Sequence, residues 1–163
     1  NSRTYTYDAR LITAADRATR SGLEIMRSIL SGELPMAAIA DTLDFRLAEV
    51  EPSRALFTGT PQKSAYNMFG AMHGGWAATL LDSAMGCAVN TVVPAGFHYT
   101  TVDLTINYVR PVTEATGEVR AEGKVVHAGR RIATAEGRLT AADGKRLAHG
   151  VTTCMICALS QGD

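Results

Sequence analysis

The stretch that limits the possible folds most runs from Gly75 to Val92. Wound as a helix, Trp76, Ala77, Leu80, Leu81, Ala84, Met85, Ala88 and Val89 cover most of its circumference. A helix apolar nearly all round belongs in a core. Gly74 and Gly75 stand at its start, with Pro94 and Gly96 beyond its end, as helix boundary signals do. A chain that buries a whole helix needs something to wrap it, and the next segments have strand character. From Tyr99 to Arg110, Val102, Leu104, Ile106 and Tyr108 alternate with Thr101, Asp103, Thr105 and Asn107, the period of a strand. Residues 114–127, 131–140 and 146–158 read as three more strands, joined by an Ala128-Gly129 turn and an Ala142-Asp143-Gly144-Lys145 hairpin signal. Long strands with short turns predict an antiparallel sheet. One buried helix and a sheet around it make an α+β domain, whose open edges invite pairing with another copy.

Upstream, Thr13 to Ser31 reads as one helix. Thr13 and Asp16 form its capping box, Gly22, Ile25, Met26 and Ile29 its apolar face, and Gly32 and Pro35 its end. Met36 to Asp41 reads as a short second helix. This part is expected to pack on the body of the protein, with a lid over an acyl pocket as the functional alternative. Phe45–Glu51 and Arg54–Thr60 read as strands around a Glu51-Pro52-Ser53 turn. The expected organisation is one domain: a helical extension over residues 1–43 and a body over residues 44–163.

Composition narrows the function. The chain has 16 basic and 16 acidic residues, and a neutral chain without a basic cluster argues against nucleic acid as partner. No apolar run approaches the ~18 residues of a membrane span, so no membrane partner is expected, and a cytoplasmic location is. The cysteines are Cys87, Cys154 and Cys157. Their odd, low count does not suggest a disulfide scaffold. Cys154-x-x-Cys157 lies in a strand, where positions three apart face opposite sides. No second Cys or His pair stands at zinc spacing, so no metal and no resident cofactor are expected.

The chemistry concentrates at the start of the apolar helix. The first N–H groups of a helix lack internal partners and carry the positive end of its dipole. Gly74 and Gly75 would let a ligand approach them, which makes an oxyanion or anion site. A plain loop-to-helix turn is the structural alternative. His73 caps the helix, shapes the loop or acts as a base. Asp82 is the one carboxylate in the helix. It is either partly buried and functional, attacking a carbonyl or activating a water, or part of an exposed stripe with Thr79, Ser83 and Asn90. No G-x-S-x-G elbow is present, and no G-K-[ST] follows the glycines. Gly74 and Asp82 are eight residues apart, or ~12 Å along the axis. A nucleophile and an oxyanion donor for one carbonyl must both lie ~3 Å from it. Two copies with antiparallel helices would bring Gly74 of one to Asp82 of the other, so the spacing predicts a shared site at a dimer interface.

Asn67-x5-His73-Gly74-Gly75-x6-Asp82, with Val102-Asp103-Leu104-Thr105-Ile106-Asn107-Tyr108 and Arg110-Pro111 downstream, resembles the hotdog-fold acyl-CoA thioesterases. Within them it is similar to the phenylacetate-pathway (PaaI-like), 4-hydroxybenzoyl-CoA thioesterase-like branch. The resemblance covers about Asn67 to Ile156. It implies a helix wrapped by an antiparallel sheet, homodimers and often dimers of dimers, and metal-free hydrolysis of an acyl-CoA or aryl-CoA. Carried over, Asp82 is nucleophile or general base and the Gly74 N–H polarises the carbonyl. Asn67 holds the water or the carbonyl, His73 orders the loop, and Thr101 assists the acid. Gly75, Met68, Phe69, Met72 and Trp76 are expected to line the substrate site, with core packing as the alternative for the last four. Arg110, Arg130 and Arg131 are expected to meet the CoA phosphates as a group, against the alternative of solvated surface arginines. A non-catalytic acyl-CoA binding protein and an acyl-thioester dehydratase are the competing readings. The glycine pair and the Asn67 spacing count against the dehydratase.

Overall fold

The structure, a computed structural model, describes residues 2–160. Six strands form one antiparallel sheet in the order β1-β2-β4-β5-β6-β3, curled around the helix α4. The strands are β1 Phe45–Glu51, β2 Arg54–Gly59, β3 Phe97–Tyr108, β4 Val119–Ala128, β5 Ile132–Ala141 and β6 Arg146–Ala158. The helix α4 spans Gly74–Asn90. This is the α+β architecture expected from one apolar helix and a run of long strands, in the hotdog arrangement that the resemblance implies.

The core is the inner face of the sheet against α4. Leu80, Leu81, Ala84, Met85, Ala88 and Val89 are fully buried, as are Phe57, Val119, Ala121 and Leu139 from the strands. Helix and sheet approach closely at Gly123 on β4, where a methyl group would overlap the backbone of Ala84.

The single helix expected over residues 13–31 is two: α1 Ala14–Thr19 and α2 Gly22–Ser31. Arg20 turns extended, and Ser21 and Glu24 build a second capping box that starts α2 afresh. The Gly22 N–H donates to the Val93 carbonyl (2.9 Å). Gly22 lies against Asn90, where any side chain would collide, so α2 is seated on the C-terminal end of α4. A short α3, Ala38–Leu43, leads into β1.

The alternation expected through β3 is broken. Thr101 pairs with Cys154 and Asp103 with Thr153, leaving Val102 as a bulge. The bulge shifts the phase by one residue. Tyr99 and Thr101 therefore share a face with Leu104, Ile106 and Tyr108, opposite the buried β6 residues Ile156, Cys154, Thr152, Gly150 and Ala148. β3 ends the sheet with one edge unpaired, and Val102, Leu104 and Tyr108 are exposed along it.

Candidate active site

The loop before α4 is held by its own polar groups. Asn67 Oδ1 accepts from the Phe69 N–H (2.8 Å) and the Ala71 N–H (3.3 Å). The Asn67 N–H donates to the Ala71 carbonyl (2.7 Å), and Gly70 turns the chain at φ 86°, a conformation glycine adopts freely. The His73 N–H donates to the Ala65 carbonyl (2.9 Å) and the Met72 N–H to the Val112 carbonyl (2.8 Å). His73 is the N-cap: its Nδ1 accepts from the Gly75 N–H at 3.0 Å. That bond commits Nδ1 as acceptor and occupies the Gly75 donor. The Gly74 N–H has no acceptor among the described residues, and Tyr108 packs over Gly74 with its hydroxyl donating to the Gly74 carbonyl (2.9 Å). A free N–H at the positive end of a 17-residue helix can bind an anion or a polarised carbonyl oxygen. It opens on a groove of about 390 Å³ that Asn67, His73, Tyr108 and Arg110 also line. The Asn67 amide nitrogen makes no bond of its own there.

Asp82 lies two turns further along, half-buried beneath β3 and outside that groove. The Thr101 hydroxyl donates to Asp82 Oδ1 at 3.1 Å. The bulge at Val102 makes this bond possible, because strict alternation would put Thr101 on the same face as Asp103. Beyond the acid, Tyr99 packs on Gly86. Burial, foremost, pushes the Cys87 thiol up to about 12 and raises the Tyr99 phenol well above its usual value, with the charge of Asp82 adding to both. Neither thiol nor phenol is therefore a ready nucleophile here.

Other expected site residues fall elsewhere. Met72 and Trp76 are buried in the core, and the Trp76 indole N–H donates to the Leu43 carbonyl (2.8 Å). Trp76 flanks the loop in sequence but faces inward, whereas Met72 also lines the Gly74 groove. Met68 and Phe69 are 90% and 88% exposed at the loop tip, so within one chain they line nothing. The arginines do not gather. Arg110 follows β3 near the start of α4, whereas Arg130 and Arg131 turn β4 into β5 at the opposite end of the sheet. Arg110 instead shares a groove of about 550 Å³ with Arg138, Lys145, Arg146 and His149. The Arg110 guanidinium donates to the Arg146 carbonyl (2.6 Å). Neither Arg110 nor Arg146 pairs with a carboxylate among the described residues. This cation cluster comes from four separate segments, so no run in the sequence announces it. It adjoins the Gly74 groove through Val109 and Arg110. Among the described residues no three His, Cys, Asp or Glu side chains gather as a metal site, and no helix is long and apolar enough to cross a membrane.

The sheet wrapped around α4 is a hotdog-type fold, and comparison with known proteins agrees. The thioesterase superfamily model matches residues 69–148, a span that holds His73, Gly74, Asp82 and Thr101. A Halobacterium salinarum protein, provisionally named an esterase, is 41% identical over 69 residues; the match takes in 41% of this chain and 44% of that protein, less than half of its length. Two solved structures align over almost their whole length. A phenylacetic acid degradation-related protein from Ralstonia eutropha, provisionally a thioesterase, is 26% identical with a TM-score of 0.73, covering 80% of this chain and 98% of its own. A variant of the phenylacetic acid degradation protein PaaI from Thermus thermophilus is also 26% identical, with a TM-score of 0.66, covering 73% and 98%. The chain is thus similar to the thioesterase superfamily over residues 69–148 and shares its hotdog fold with PaaI-like proteins.

Proposed function

We propose that this protein hydrolyses acyl-CoA thioesters at sites shared between two copies. One observation carries the reading: the Gly74 donor and the Asp82 acid stand on one helix, ~12 Å apart along it, and face different surroundings. Neither half is complete alone. The unpaired edge of β3, with its exposed Val102, Leu104 and Tyr108, supports a two-fold pairing in which the helices run antiparallel. The exposed Met68 and Phe69 then close over the acid region of the second copy. The apolar Val126, Val151 and Met155, exposed on the sheet, suit a further pairing of dimers.

In this reading the thioester carbonyl oxygen accepts from the Gly74 N–H and the Asn67 amide. Charge that develops there as the carbonyl becomes tetrahedral meets the positive end of the helix. Asp82 of the other copy either takes a proton from the attacking water or attacks the carbonyl itself. Thr101 holds one carboxylate oxygen and leaves the other for that task. The carbon–sulfur bond breaks and the leaving coenzyme A thiolate takes a proton derived from the water; where Asp82 has attacked the carbonyl itself, that water hydrolyses the acyl-aspartate anhydride and frees the acid. The phosphates of coenzyme A suit the groove of Arg110, Arg138, Lys145, Arg146 and His149, where the Arg110 and Arg146 guanidinium groups have no carboxylate partner among the described residues, although Arg138 pairs with Glu136 and Lys145 with Asp143. The test is release of free thiol from a panel of acyl- and aryl-CoAs, with Asp82→Asn as control. Equal turnover by the variant removes Asp82 from the chemistry.

A further inference from the structure

The geometry points to the N-terminal helices as the wall of an acyl pocket: the cavity between α2, α4 and the start of β3 receives the acyl group of a thioester whose carbonyl lies at Asp82, and Arg17 binds an oxygen at that group's far end. This rests on the hydrolase reading above and adds the substrate class. The cavity holds about 480 Å³, within the range of small-molecule sites. Ile25, Met26 and Ile29 of α2 form one wall, and Cys87 and Tyr99 form part of the opposite one. Tyr99 is two residues from Thr101 on the same face of β3, so its ring is the next neighbour of the hydroxyl that holds Asp82. Tyr99 and Cys87 therefore stand between the acid, which does not itself line the cavity, and the apolar space beyond. An acyl chain leaving the carbonyl has this apolar space ahead of it.

The far end is polar. The Arg17 carbonyl accepts from the Gly96 N–H at 2.9 Å, which fixes α1 beside the first residue of β3. From Phe97 to Thr101 is four strand residues, roughly 13 Å. Arg17 lines the cavity, its Nε is buried without a hydrogen-bond partner, and no carboxylate pairs with it among the described residues. A buried donor left unmet is costly and uncommon. The oxygen of a carboxylate or carbonyl on an acyl chain of medium length meets this guanidinium where it lines the cavity, since no carboxylate of the described residues pairs with it.

The experiment compares kcat/KM for acetyl-CoA, octanoyl-CoA and the ω-carboxy counterpart of octanoyl-CoA. The native protein is expected to prefer the ω-carboxy thioester, and Arg17→Leu to shift that preference toward octanoyl-CoA by about tenfold or more. Ile29→Trp fills the cavity, and the octanoyl-to-acetyl ratio is expected to fall by a similar factor. Ile29→Ala enlarges the cavity and moves the optimum to longer chains, which keeps the test open if the tryptophan variant does not fold. Variants that change every thioester by one common factor overturn the pocket and leave the hydrolase intact. If the native protein hydrolyses no thioester, the hydrolase reading fails separately. Calorimetry with S-octyl-CoA then decides the pocket: weaker binding to Ile29→Trp supports it, and equal binding to both proteins overturns it.

Discussion

The two halves of the candidate site share one helix but are held in opposite ways. The loop half, from Asn67 to Gly75, is braced largely from within: Asn67 bonds residues two and four ahead of it, and His73 bonds a residue two ahead. The acid half has no such local support. Asp82 is held by Thr101, 19 residues away, and its depth depends on how closely the sheet approaches α4. Local bracing makes a donor that forms with the loop. Long-range bracing makes an acid whose position depends on the whole sheet. Changes in the loop should therefore act on catalysis with little cost in stability, whereas changes around the acid should affect both.

The largest effect is expected from the acid. Asp82→Ala should lower kcat by about 10³-fold, measured as thiol release. Gly74→Pro should lower it by about 10²-fold. Proline removes the single free N–H, and it is tolerated at the first position of a helix when the preceding residue is extended, as His73 is at ψ 137°. A Cβ at this position lies 3.2 Å from Tyr108, so Tyr108 must shift and the melting temperature should fall by roughly 2–4 °C. Mixing the two inactive variants sharpens the comparison further. Random pairing makes half of the dimers mixed, each with one intact site, so activity should return to about a quarter of native if sites are shared in two-fold dimers. No recovery after verified subunit exchange would place donor and acid in one chain.

The same contrast explains what could be read from sequence. The loop half was legible because its bonds are short-range and its residues stand in one run, Asn67 to Gly75. The helix was legible because burial on all sides leaves an apolar stretch. The partner of Asp82 was not legible from periodicity, since the bulge at Val102 reverses the face on which Thr101 sits; only the family resemblance pointed to it. The cation groove was invisible because Arg110, Arg138, Arg146 and His149 meet only after β3, β5 and β6 pair. Trp76 shows the reverse case: adjacency to the loop suggested substrate contact, but its side chain turns into the core, whereas Met72 packs there and also lines the Gly74 groove. The break between α1 and α2 had a signal in plain view, the Ser21-x-x-Glu24 capping box, set inside an apolar periodicity that runs on past it.

Two milder substitutions test the bracing itself. Thr101→Val keeps the shape of the side chain and removes the hydroxyl, so Asp82 loses its one hydrogen bond to a side chain. A loss of about tenfold in kcat is expected, with KM less affected, because the bond orients the acid and does not bind substrate. Tyr108→Phe removes the matching bond in the loop half. Here the acceptor is the Gly74 carbonyl, which still lies in the first turn of α4, and the Phe ring keeps the packing over Gly74. A single exposed hydrogen bond contributes about 1 kcal/mol, so kcat should fall only a few-fold and the melting temperature by a degree or two. The order matters more than either value. If Tyr108→Phe costs more activity than Thr101→Val, the loop is not self-supporting and depends on β3 as heavily as the acid does.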